Sequence, residues 1–275
     1  MGAFVKMFTT GPMEAAIIDS VTSEASGHDV DYLLDNNPDT YWQASSDAGQ
    51  EIVIDLGSAI SCTKIVIWLH NYTGITNNRT VVVTGSNDKS SWSATLWSWT
   101  TSEFVSSSGP IRVKGSLSVI EEAKTAYRYY RVAIGADGVG SEVVELSGIW
   151  FCRRFQPSVA NQYPERRVGS SVNRVQKSES GRTFASRINS GRSYRFERQF
   201  VVTTAADLNE IIGAHEDCGG RFLPVFLAET TVQTDTKMCH FTEDRIEDLF
   251  IAPDATYQVS VEFEIEPWIP AGRNY

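Results

Sequence analysis

Residues 32–42 read Tyr-Leu-Leu-Asp-Asn-Asn-Pro-Asp-Thr-Tyr-Trp, and they concentrate oxygen donors. Asp35, Asn36, Asn37, Asp39 and Thr40 surround Pro38, a composition that suits a hard cation such as calcium. The same residues also suit an Asx-rich turn, in which the side chains accept from nearby backbone N–H groups. Other constellations carry less chemistry. His28, His70, His215 and His240 lie in no His-Glu-x-x-His helix and beside no Gly-x-Ser-x-Gly elbow, and no glycine-rich phosphate loop is present. Glu243, Asp244, Glu247 and Asp248 could pair for acid–base work, but their spacing equally describes a solvated face. With no acid–nucleophile pair identifiable, the sequence points away from an enzyme.

The acidic loop leads into an alternating stretch, Glu51-Ile52-Val53-Ile54-Asp55-Leu56-Gly57, whose period of two predicts a strand with one buried face. Further motifs follow in order. Val81-Val82-Val83-Thr84-Gly85-Ser86-Asn87-Asp88 precedes Trp92, Tyr127-Arg128-Tyr129-Tyr130-Arg131-Val132 forms an aromatic and basic strand, and Val143-Val144-Glu145-Leu146 closes the series. Together these motifs resemble the discoidin family, the coagulation factor V/VIII type C domains and related carbohydrate-binding modules, over about residues 18–151. The resemblance implies a galactose-binding-like jelly-roll β-sandwich of roughly eight strands. Asn36 stands where the family usually has Gly, and Ser147-Gly148 replaces its usual second acidic residue.

The resemblance also implies sites. It places a structural calcium at the acidic loop, with Asp35, Asp39 or Thr40 supplying oxygens and Glu145 closing from the last strand. It places a shallow glycan pocket at His70, Asn71, Tyr72 and Arg79, after Trp68. There an aromatic face stacks on a sugar ring while polar groups fix its hydroxyls. Ordinary loop packing, or contact with a neighbouring protein, would use the same residues.

The 275 residues suffice for two domains, and 41% hydrophobic residues support a folded core. No apolar run reaches the length of about 18 residues that a membrane span needs. The first residues lack a basic-then-apolar signal pattern, and Lys6 stands where a myristoylation motif needs Ser or Thr. Cys62, Cys152, Cys218 and Cys239 include no Cys-x-x-Cys pair, which argues against zinc or iron–sulfur sites. They read as reduced, mostly buried thiols, which fits a chain made in the cytosol.

The net charge of −10 is segregated. Residues 1–152 carry 9 basic and 17 acidic side chains, residues 153–198 carry 11 and 3, and residues 199–275 carry 4 and 14. The basic block could grip phosphate, but its acidic flanks compete, so protein pairing is the better reading than nucleic acid.

Residues 1–17 read as a leader, 18–152 as the discoidin-like domain, 153–170 as a connector around Pro157 and Pro164, and 171–275 as a second β domain. In that second domain residues 171–176 suggest a strand, and Ser180-Gly181 and Ser190-Gly191 mark turns. Residues 193–201 alternate, but Val201 falls off the face of Tyr194 and Phe196, so a bulge or a late register change is expected. A helix is expected near 204–217, N-capped by Thr204 with Asp207 three residues on. Residues 222–227 read as an apolar strand, and 257–265 as the cleanest alternating strand. This order of elements resembles tail-tube and distal-tail proteins of tailed bacteriophages, over about residues 157–275.

The fold expected is therefore mainly β, a jelly-roll sandwich plus a β-sandwich or barrel with one short helix. The function expected is a structural virion protein at the tail tip or baseplate. Arg187, Arg192 and Arg195 would help close a homo-oligomeric ring with other tail proteins, and a host surface glycan is a possible further ligand. The alternative is a soluble lectin or carbohydrate-binding module.

Overall fold

Strand-forming residues, alternating in some stretches and apolar in continuous runs in others, generate the observed strands. The computed structural model describes residues 6–37, 40–69, 79–100, 125–136, 143–157, 161–170, 173–177, 183–187, 193–202, 204–220, 222–228, 236–242, 248–250 and 257–265. The chain divides into two units. One comprises Phe8–Arg154 with Thr231–Thr236; the other comprises Met1–Met7, Phe155–Thr230 and Lys237–Tyr275.

The N-terminal unit is a β-sandwich. Strands β2 (Ile17–Val21), β4 (Gln50–Ile60), β8 (Tyr127–Ile134), β6 (Thr80–Ser86) and β7 (Trp97–Thr100) form an antiparallel sheet in that spatial order. Opposite it, β3 (Trp42–Gln43) and β5 (Lys64–Leu69) both pair antiparallel with β9 (Glu145–Phe155). The two inner faces share one core. Ile52, Ile54, Val83, Tyr130 and Val132 from the first sheet join Trp42, Ile65, Ile67, Ile149 and Phe151 from the second, each at most 1% exposed.

The Asp55-Leu56-Gly57 segment within β4 is a structural device. Asp55 Oδ1 accepts from the Gly57 N–H at 2.7 Å, and its two oxygens take a bidentate grip from Arg128 at 2.8 and 2.9 Å. Gly57 has φ +78°, a conformation that L side chains resist, and the β4–β8 ladder shifts register just beyond Asp55. The aspartate thus pins the irregularity in the β4–β8 ladder between Asp55 and Ile60.

In the C-terminal unit the sheet runs β10 (Asn161–Ser170), β13 (Ser193–Val202), β17 (Tyr257–Ile265), β15 (Thr236–Phe241) and β14 (Val225–Ala228), with β16 (Asp248–Phe250) also on β17. Val259, Val261 and Phe263 of β17 are buried, as the alternation predicts. Helix α1 (Ala205–Asp217) buries Ile211 and Ala214, and the Thr204 hydroxyl accepts from the Asp207 N–H at 3.1 Å. β11 (Asn173–Lys177) and β12 (Thr183–Arg187) form a separate two-stranded sheet.

Four expectations change. The leader contains strand β1 (Lys6–Thr9), whose Met7 and Phe8 are fully buried. The connector contains β10, because Pro164 is tolerated at an edge strand where the register shifts between Gln162 and Arg166. The β13–β17 ladder runs unbroken from Tyr194 to Val202, with neither a bulge nor a register change, and Val202, in phase with Phe196, is buried. Residues 222–227 do not all join the sheet: β14 begins after Pro224, and Phe222 is 78% exposed.

Candidate functional site

Register fixes where the loops of the sandwich gather. Gln50 and Val81 both lie opposite Ile134, Leu69 lies opposite Leu146, and Gln43 lies opposite Glu145. The connections out of β2, β3, β5 and β8 therefore leave from one end, and of the described residues that the sequence singles out, Arg79 and Glu145 stand there.

The acidic loop is an Asx turn. Asp35 Oδ1 accepts from the Asn37 N–H at 2.8 Å, and Oδ2 accepts from the Thr40 hydroxyl at 2.6 Å. Thr40 Oγ1 also lies 2.8 Å from the Asn37 carbonyl. Asn36 has φ +57°, which explains how it replaces glycine: Asn is among the few residues that visit the left-handed region routinely. Its side chain gains a task glycine cannot perform, because Asn36 Oδ1 accepts from the Trp150 indole at 2.8 Å. Trp150 is 1% exposed and lies across Gly148, where an added Cβ would fall 2.1 Å from the ring. The departures at 36 and 148 thus belong to one arrangement around Trp150.

Glu145 is held elsewhere, accepting from the Gln43 amide at 2.7 Å. Among the described residues no group of three or more His, Cys, Asp or Glu side chains is placed to hold a metal. Of the expected donors, Asp35 ties its own loop and Glu145 accepts from Gln43. Asp39 lies outside the described residues.

Beside Glu145 stands an aromatic pair that sequence reasoning missed. His28 and Tyr41 are stacked with centroids 4.3 Å apart and planes at 29°, and both are half-buried. Burial, with the Glu145 carboxylate second, raises the Tyr41 phenol above its usual range, so the hydroxyl stays protonated. The loop carrying His28 is braced from several sides. The Trp42 indole donates to the Ser23 carbonyl at 3.1 Å, Ser23 donates to Gln50 at 2.8 Å, and the Ala25 N–H donates to the Gln43 carbonyl. The signal for this pair was slight: Tyr41 adjoins the motif tryptophan, but His28 lies thirteen residues upstream.

Of the expected glycan pocket, His70, Asn71 and Tyr72 lie outside the described residues. Arg79 is 5% exposed, and its guanidinium donates to the Gly135 carbonyl at 3.3 Å, bracing two loops of this end. Arg187 and Arg195 have described backbone in β12 and β13, whereas Arg192 lies outside the described residues. Chemically the loop end offers an aromatic face, an imidazole, a phenol, an amide and a carboxylate: one surface for stacking, with donors and acceptors beside it.

Residues 3–75 match the family model described as anaphase-promoting complex, subunit 10. No curated protein matches the chain. Among solved structures it is similar to the C-terminal domain of a chitobiase from Bacteroides fragilis, at 21% identity over 54% of this chain and 98% of that one, TM-score 0.40. It is similar to a carbohydrate-binding module, CBM32-3, of a family 31 glycoside hydrolase from Clostridium perfringens, at 14% identity over 52% and 94%, TM-score 0.42. It is also similar to a chitosan-binding module of a Paenibacillus chitosanase/glucanase, at 16% identity over 53% and 99%, TM-score 0.39.

Proposed function

We propose that the N-terminal sandwich is a non-catalytic carbohydrate-binding domain whose ligand lies on the loop end, against His28 and Tyr41 and beside Gln43 and Glu145. The observation that carries this reading is the stacked His28–Tyr41 pair, 4.3 Å apart, set next to the Gln43–Glu145 hydrogen bond. An aromatic surface buries the apolar face of a pyranose, and fixed amide and carboxylate groups select its hydroxyls. Titration of the full chain with a panel of oligosaccharides, followed calorimetrically, tests it. Binding that disappears in Tyr41→Ala at unchanged melting temperature supports the reading; an unchanged Tyr41→Ala overturns this placement.

A second reading concerns the C-terminal unit. Strands around one capped helix, with a separate basic hairpin, favour an assembly role, and on this reading the chain is a tail or baseplate component of a tailed-bacteriophage virion. Co-purification with particles, seen by electron microscopy, tests it; a chain absent from purified particles refutes it.

A further inference from the structure

The carboxylates of the N-terminal unit are not compensated evenly. Residues 7–63 contain ten Asp and Glu and no Lys or Arg. Toward the middle and the far end of the five-stranded sheet the acids find cations: Asp19 meets Lys89, Asp55 meets Arg128, and Glu51 lies 3.7 Å from Arg131. The loop end differs. Glu24, Asp29, Asp31, Asp35 and Asp47 are exposed on the connections that join β2, β3 and β4, and among the described residues none of them takes part in an ion pair. The described cation of this end is Arg79, 5% exposed, whose guanidinium donates inward to the Gly135 carbonyl.

The rim carboxylates have local work and make no site by themselves. Asp29 accepts from the Asp31 N–H at 2.9 Å, Glu24 accepts from the Val30 N–H at 3.3 Å, and Asp35 holds its own loop. What they supply is a negative field over the end of the sandwich. Glu145 is different, because it stands at the aromatic pair and is half-buried. It accepts from the Gln43 amide at 2.7 Å, and among the described residues no cation pairs with it. A carboxylate has about four lone-pair sites, so one amide leaves acceptor capacity for a ligand. Burial first, and then the Glu145 charge, keep the neighbouring Tyr41 phenol protonated, so the carboxylate already acts on the surface where a sugar ring would stack.

The charge of the ligand follows from this arrangement. An acidic sugar would bring its own carboxylate against Glu145 and the rim, and like charges repel. A neutral sugar would donate hydroxyls to Glu145 and leave the charge uncompensated. An ammonium group donates and compensates together, and hydrogen bonds between ionised partners are roughly twice as strong as neutral ones.

We propose that the loop end selects sugars that carry a protonated amine, with the pyranose against His28 and Tyr41 and the ammonium on Glu145. This inference rests on the carbohydrate reading and adds to it the charge class of the ligand.

The test is calorimetric titration of the full chain with three probes of equal length: a glucosamine oligomer, its N-acetylated counterpart and a galacturonate oligomer. The glucosamine oligomer should bind about 10-fold more tightly than the acetylated one, the scale that separates a charge-assisted from a neutral hydrogen bond. The galacturonate oligomer should bind more weakly than either. The screening length shortens from about 10 Å at 0.1 M salt to about 3 Å at 1 M, so the preference for the amine should shrink across that range. Glu145→Gln should bring the ratio of the first two affinities close to one, whatever it does to each of them. Asp31→Asn with Asp47→Asn removes rim charge only and should narrow the ratio by less. Equal affinity of the wild type for the amine and the acetamide overturns the proposal and leaves the carbohydrate reading standing, as does a preference that survives Glu145→Gln or tighter binding of galacturonate. A glucosamine oligomer that fails to bind also overturns the proposal, and the wider oligosaccharide panel then decides the carbohydrate reading separately.

Discussion

Replacing Asn36 separates two contributions that the structure joins in one residue. Asn36 holds φ +57° and accepts from the Trp150 indole at 2.8 Å. Asn36→Ala loses both properties. A left-handed conformation costs a residue with a Cβ about 1–2 kcal/mol, and loss of a hydrogen bond costs about 0.5–1.5 kcal/mol, rising when the group left behind is buried. The alanine variant should therefore lose about 2–3 kcal/mol. Asn36→Gly keeps the backbone conformation and loses only the acceptor, so it should lose about 1 kcal/mol. Asn36→Asp retains an acceptor and a side chain tolerant of this conformation, and should stay close to wild type. In a domain of this size each kcal/mol moves Tm by about 2–4 °C, which puts Ala below Gly by several degrees. Scanning calorimetry measures the order, and the tryptophan emission of the native state reports whether Trp150 has shifted. Equal losses for Ala and Gly would show that the backbone conformation is not strained, and a wild-type Tm for both would refute the argument altogether.

Three further outcomes follow from the same geometry. The Asp55 carboxyl is held below the usual range, first by its hydrogen bond from Arg128 and also by the Gly57 N–H, against the opposing effect of burial. Its contribution is fully present above the unfolded value of about 3.9 and is lost as pH falls through the folded value, so Asp55→Asn should flatten the acid limb of a stability–pH profile. Because the Arg128 side chain is 44% exposed, the loss at neutral pH should be modest, about 1–2 kcal/mol; an unchanged acid limb would contradict the clamp. Gly148→Ala places a Cβ 2.1 Å from the Trp150 ring and should cost about 1–3 kcal/mol by overpacking, read from denaturant midpoints, whereas a neutral result would show that the indole moves freely. Chelation should leave the Tm of the full chain unchanged, since hydrogen bonds hold the loop at Asp35 and Thr40; a fall reversed by added calcium would place the ion there after all.

How much of this was legible depends on the range of the interaction. Strand β4 was legible from its alternation, but both of its faces are buried, since Val53 and Asp55 lie inside as well as Ile52 and Ile54, whereas Val259, Val261 and Phe263 of β17 are buried as their period dictates. The Thr204 cap was equally visible, because a cap and its N–H donor lie three residues apart. Pairings distant in sequence were not visible. Nothing in the sequence joins Asn36 to Trp150 or Asp55 to Arg128, and those contacts explain the motif positions better than their local chemistry does. The His28–Tyr41 pair was missed for the same reason: its two rings meet only after the loop is folded back by Ser23 and Trp42. β10 was obscured by Pro164, which signals a connector until the strand is seen to be an edge.

The central claim is that ligand lies on the loop end of the sandwich. Hydrogen exchange of the full chain, with and without a bound oligosaccharide, tests it most directly. Protection should concentrate in residues 23–45 and 143–147, around His28, Tyr41, Gln43 and Glu145. Protection confined to the opposite end, at residues 55–61 and 86–93, would contradict the account, and so would an exchange pattern that no oligosaccharide of the panel alters.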